Sequence, residues 1–161
     1  MRSILLERSM DFFDILKKDR KEWMHFWEDY KRRLPGIMIP YCAFYHLDEP
    51  RVRLSLDQFS RPFLDRIYQK NETIRFWKAK AAKALSHRQE ELRLVQEDFT
   101  IYMIGALGLE DSAYFPNTGK YIGIIDIVSV IANERIEELP SIAIGIAKGI
   151  RSSIDREEKA T

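Results

Sequence analysis

The side chains able to do acid–base, metal or nucleophilic chemistry are few: three histidines and one cysteine in 161 residues. His25 and Asp29 stand one helical turn apart, a spacing that suits two metal ligands. They lie opposite a Trp23, Phe26, Trp27 and Tyr30 stripe, so a solvated pair is expected. His46 sits near Asp48 and Glu49, a cluster that could bind a cation; the alternative is a surface turn before Pro50. His87 is expected on the polar side of a long helix. Cys42 lies among Tyr41, Ala43, Phe44 and Tyr45, which suits a buried thiol better than a nucleophile. Gly105, Gly108 and Gly119 make no phosphate-binding pattern, because no Lys-Ser or Lys-Thr pair follows at the required spacing.

The elements that must position these residues divide near residue 97. Residues 1–97 read as helices. Ser9 is expected to cap a short one carrying Phe12, Phe13, Ile15 and Leu16. Asp19 with Glu22 resembles a capping box for the aromatic helix that follows, and Pro35-Gly36 is expected to stop it. A short helix starting at Pro40 and ending at Pro50 is expected next, then one started by Ser60 and Pro62. Asn71 is expected to cap the longest helix, about 72–96, with Ile74, Trp77, Ala81, Leu85 and Leu92 inward. From Asp98 the character changes. Residues 99–104 read as a strand, 106–119 as a loop and 120–125 as a second strand. Residues 126–132 continue that strand or turn. A last helix starts around Pro140 and runs to about Ser153, and 155–161 is a charged tail. The predicted fold is one α+β domain: a helical part over 1–97, a strand–strand–helix unit over 98–154, and the tail.

Composition narrows the partners. Lys and Arg number 26 against 25 Asp and Glu, a formal net charge of +1, so no long-range field draws in nucleic acid. The runs Lys17–Glu22 and Lys31–Arg33 are offset by nearby acids and are expected to be solvated. Apolar residues are 45% of the chain, enough for a core burying roughly 70% of the unfolded surface. A single cysteine forms no internal disulfide, which suits a reducing cytoplasm. Charges arrive too early in Met1–Arg8 for a signal peptide, and no apolar run approaches the roughly 20 residues of a membrane-spanning helix.

At about 100° per residue, Ile142, Ala143, Ile146, Ala147, Ile150 and Ile154 share one face of the last helix. Ile144, Lys148 and Arg151 lie on the other, expected to be its solvated side. Gly145 and Gly149 leave a groove there, at about 1 kcal/mol each in helix propensity, which implies close packing.

The segments Phe99–Gly105, Tyr121–Ile124 and Ile142–Arg151 together resemble the minimal-zincin family of predicted zinc-dependent proteases. In that resemblance they are the first strand with its glycine turn, the strand beside the substrate cleft, and the active-site helix. The family's two zinc-binding histidines then fall on Ile144 and Lys148, and its general-base glutamate on Gly145. Isoleucine has no lone pair, glycine no base, and lysine is protonated at neutral pH. Little chain follows for a third ligand. The resemblance therefore implies a degenerate site with no metal, no cofactor and no catalytic residue. It implies a cleft that keeps a peptide or protein partner along an exposed edge at Tyr121–Ile125. Expected contacts are Tyr121, Ile122, Ile124, Arg151 and Glu110, with Lys148 near the vacated zinc position beside Glu110 or Asp111. Two alternatives stay open. One is a hydrolase using His46, Asp48, Glu49 or Glu110 in one pocket. The other is a structural protein whose apolar helix faces pair between chains, burying more than roughly 1,000 Å².

Overall fold

The computed structural model describes residues 4–160. Its elements run β1 (Leu5–Glu7), α1 (Ser9–Leu16), α2 (Trp23–Arg33), α3 (Pro35–Phe44), α4 (Glu49–Asp57), α5 (Arg61–Gln69) and α6 (Asn71–His87). They continue with α7 (Gln89–Leu92), β2 (Phe99–Ile104), β3 (Ser112–Asn117), β4 (Lys120–Asp126), α8 (Ile127–Ala132) and α9 (Leu139–Ala160). The fold is α+β: a helix-rich body around one small sheet. No described helix is long and apolar enough to cross a membrane.

The sheet order is β1-β2-β4-β3. β1 runs parallel to β2 and β2 parallel to β4, while β3 returns antiparallel along β4. Thr118 and Gly119 join that hairpin, both at positive φ (48° and 81°), the backbone of a type I′ turn whose twist matches the strands it connects. β1 comes from the first residues of the chain, so the sheet draws on both sides of residue 97, and one continuous cluster forms the core.

Glycines mark how closely the helices approach the sheet. A Cβ on Gly123 would stand 2.5 Å from Ile146 Cγ2, so α9 lies directly on β4. A Cβ on Gly105 would meet Phe12 Cβ at 2.8 Å, so α1 packs against the end of β2 on the other side. The Tyr30 hydroxyl donates to the Gly105 carbonyl at 2.8 Å, tying α2 to the same point. α6 covers the outside of α9, with Ala81, Ala143 and Ala147 fully buried between larger residues.

The strand at Phe99–Ile104, the strand from Lys120 and the Ser60 cap, which accepts from the Phe63 amide at 3.3 Å, are as expected. Elsewhere the sequence expectations need correction. The aromatic helix α2 ends at Arg33, just before Pro35, as expected, but Pro35 at once opens α3, so Pro40, expected to start a helix, lies inside one. Pro50 does not end an element; it sits in the first turn of α4, capped by Asp48. Asp19 makes no side-chain cap. α6 ends at His87, and the chain leaves α7 through Arg93 at φ 52°, so α9 is the longer helix. The loop expected over 106–119 contains β3. Residues 126–132 turn into α8, because the Asp126 carboxylate accepts the Val128 amide at 3.0 Å. Residues 155–160 continue α9 rather than forming a tail, anchored by Arg93 on Asp155 at 2.6 Å.

Candidate functional site

β3 is an edge strand of the sheet. Asp126 donates its amide to the Asp111 carbonyl at 2.9 Å, which fixes the phase of the β3–β4 ladder. Counting along the register, Ala113, Phe115 and Asn117 direct their backbone groups to β4. Ser112 and Tyr114 direct theirs outward, and so does Pro116. Proline has no N–H to offer, and an outward position on an edge strand is where that costs least. No strand pairs with this edge among the described residues.

Beside that edge lies a concavity of about 560 Å³, lined by Phe44, Glu110, Tyr114, Arg135, Ile142 and Ile146 among others. Phe44 is 48% exposed and leans on Phe115 with ring centroids 5.4 Å apart. Glu110 stands at the rim. The nearby Tyr45 hydroxyl is pushed well above its ordinary value, first by burial and then by the charge and hydrogen bond of Glu110. Glu110 has no ion pair among the described residues.

Two carboxylates outside the lining brace the elements around it. Asp111 accepts from Ser129 Oγ at 2.5 Å and Asn133 Nδ2 at 2.9 Å, and pairs with Arg135, which reaches Glu138 at 2.8 Å. Burial pushes the Asp111 carboxyl up, but the Ser129, Asn133 and Arg135 bonds outweigh it and hold it below the usual range. This network ties the start of β3 to α8 and to the turn before α9. Asp126, 2% exposed, accepts the amides of Ala106 at 3.1 Å, Gly108 at 2.8 Å and Val128 at 3.0 Å. Burial raises it to about 7 against the opposing pull of those amides. Its bonds are all internal, so it shapes the 105–108 turn and starts α8.

Of the residues singled out from sequence, Glu110 and Gly145 reach this concavity. β4 is flanked by β2 and β3, so the edge expected at Tyr121–Ile125 is an interior strand. Ile122 and Ile124 are core residues, 8% and 2% exposed. Tyr121 pairs its hydroxyl with Glu157 near the end of α9. Arg151 is a clasp, donating to the Arg93 carbonyl at 2.9 Å and Asp98 at 3.3 Å. Lys148 is exposed, in a shallow depression between α9 and α6 bordered by Arg88, Ala84 and the half-buried Ile144. The Asp111 expected beside it is bound to Ser129, Asn133 and Arg135 instead, and Glu91 is the acid whose charge it reaches.

The other candidates are dispersed. His25, exposed, stands 3.7 Å from the half-buried Asp29. Asp48 caps α4 through the Arg51 amide at 3.0 Å, Glu49 holds Arg53 at 2.7 Å, and His46 sits exposed at φ 52°, so this trio does not converge on one pocket. His87 is exposed, and the half-buried Cys42 thiol is raised by burial. Among the described residues no three His, Cys, Asp or Glu side chains are placed to share a metal ion. Sequence reasoning missed Ser112, Tyr114 and Arg135. The signal for the first two was the alternation Ser-Ala-Tyr-Phe before the Thr-Gly turn; for Arg135 there was none. Comparison with family models, curated proteins and solved structures finds no match to this chain.

Proposed function

We propose that this protein is a non-catalytic binding module that takes an extended peptide of a partner protein as a fifth strand on β3. The observation that supports it is the free outer edge of β3 with an apolar concavity alongside. In strand addition, main-chain hydrogen bonds supply affinity and pockets for alternate side chains supply selectivity. Here Ser112 and Tyr114 offer the main-chain groups. Phe44 on one side and Ile142 and Ile146 on the other offer apolar contact, so the preferred peptide carries β-branched or aromatic residues. Glu110 at the rim, hydrogen-bonded to Tyr45 but with no ion pair among the described residues, favours a lysine or arginine next to that run. Of the three zincin-like positions only Gly145 lines this concavity, while Ile144 and Lys148 border the depression between α9 and α6, so the docking edge proposed is β3 and not the cleft of that resemblance.

The test uses a synthetic peptide of alternating valine and threonine flanked by lysine, and amide hydrogen exchange. Binding that slows exchange at Ser112 and Tyr114, and is lost when alternate peptide nitrogens are methylated or when Ser112→Pro removes an outward donor, supports the proposal. Unchanged exchange at both amides, or equal binding by the methylated peptide, overturns it. So does concentration-dependent protection without peptide, which would assign the edge to a second copy of the chain.

A further inference from the structure

A second concavity lies around the sheet end from β3's apolar groove, and its charge is one-sided. It measures about 440 Å³ and is bounded by the corner joining α2 to α3, by the β3–β4 turn and by β2. Arg8, Arg33 and Lys120 line it, and no acidic residue does. The chain as a whole carries only +1, so this is a local excess. Arg8 is partly neutralised by Asp11 at 3.4 Å. Arg33 and Lys120 make no ion pair among the described residues. Their neighbours differ: Lys31 pairs back to Glu28 at 3.0 Å and Arg32 to Asp29 at 3.5 Å. A cation at the C-terminal turn of α2 is favoured by the helix dipole, which accounts for Arg33 alone. It does not account for Lys120, brought from the hairpin turn to the same hollow.

Hydroxyls and apolar surface complete the lining. Thr100 and Tyr102 are half-buried on β2, and the Tyr102 hydroxyl has no hydrogen-bond partner among the described residues. Leu34 and Ile122 add buried apolar wall. Converging cations with free hydroxyls recognise an oxyanion, and a guanidinium matches phosphate in bidentate geometry while an ammonium acts as a point charge. The volume suits a small molecule rather than a polymer.

We propose that this hollow binds a small organic phosphate monoester, its phosphate between Arg33 and Lys120 and its organic body against Tyr102 and Leu34. The site is separate from the β3 edge and stands whether or not a peptide docks there.

The test is calorimetric and NMR titration of the full chain with phenyl phosphate, inorganic phosphate and phenol at constant ionic strength. Phenyl phosphate is expected to bind tightest, inorganic phosphate more weakly and phenol not at all, with amide shifts at Thr100, Tyr102 and Lys120. Arg33→Gln and Lys120→Gln are each expected to weaken phenyl phosphate about tenfold, the loss of one charge-assisted contact. Lys148→Gln, on the far side of α9, is expected to change nothing. All three positions are exposed, so the variants keep the fold, which circular dichroism checks. Absence of binding, equal loss in Lys148→Gln, or shifts scattered over surface lysines overturns the assignment.

Discussion

Asp126 holds Gly108: one carboxylate oxygen accepts the Gly108 amide at 2.8 Å, while the other accepts Ala106 and Val128. In the ionised form, above its titration, both oxygens are acceptors, so an amide side chain of the same size would point donors at donors. Asp126→Asn is therefore expected to destabilise the protein by about 3 kcal/mol, the penalty for buried unsatisfied amides, measured by urea unfolding. The 105–108 turn and the first turn of α8 should lose amide-exchange protection first.

The same residue sets a pH dependence of unusual sign. Its folded carboxyl titrates at about 7, above its ordinary 3.8. Between those values the folded state binds more protons than the unfolded one, so stability falls as pH rises through that window. Asp126→Asn does not titrate, so the stability gap between wild type and variant should narrow from pH 4 to pH 8. A gap that widens over that range would contradict the raised value.

Asp111 works the other way. Its hydrogen bonds from Ser129, Asn133 and Arg135 hold it below the usual range, so its contribution is present above the ordinary carboxylate value and is lost as pH falls through its folded value. Asp111→Asn is expected to cost about 1–2 kcal/mol at pH 7, as Arg135 loses one of its two carboxylate partners and keeps Glu138. The cost should shrink on acidification, the opposite slope to Asp126→Asn in the same denaturation series.

How much of this was legible in the sequence depended on whether the cause was local. The strand at Phe99–Ile104 and the Ser60 cap follow from residue types within a few positions, and both were visible. β3 was not, because Pro116 and the flanking glycines carry turn chemistry, and only the sheet's edge makes a strand proline tolerable. The interior position of β4 was hidden for the same reason: Tyr121–Ile125 reads alike at an edge or a centre. Asp111 and Arg135 lie 24 residues apart, and nothing in either neighbourhood announces the pairing. The amphipathic face of α9 was read correctly, since its period is a property of the helix alone.

Gly145 and Gly149 separate helix propensity from packing. A Cβ on Gly145 meets nothing within 4 Å, whereas one on Gly149 would stand 2.5 Å from Tyr114 Cε1. Gly145→Ala should stabilise the protein by up to about 1 kcal/mol through helix propensity. Gly149→Ala gains the same propensity but must displace the Tyr114 ring, so it should fall about 1–2 kcal/mol short of Gly145→Ala in thermal unfolding. Equal effects at the two positions would mean that α9 does not press on β3 there.

Pro40 and Asn117 provide a last, coupled test. Pro40 has no amide, so the Gly36 carbonyl one turn earlier lacks its helical donor. The Asn117 side chain donates to that carbonyl at 3.3 Å, joining the β3 end to α3. Asn117→Ala is expected to cost about 0.5–1 kcal/mol, and Pro40→Ala, which returns the helical donor, to stabilise by about 1 kcal/mol. If the amide substitutes for the missing helical bond, the Asn117→Ala cost should largely vanish in the Pro40→Ala background. Strict additivity across that double-mutant cycle would show that the two residues serve α3 independently.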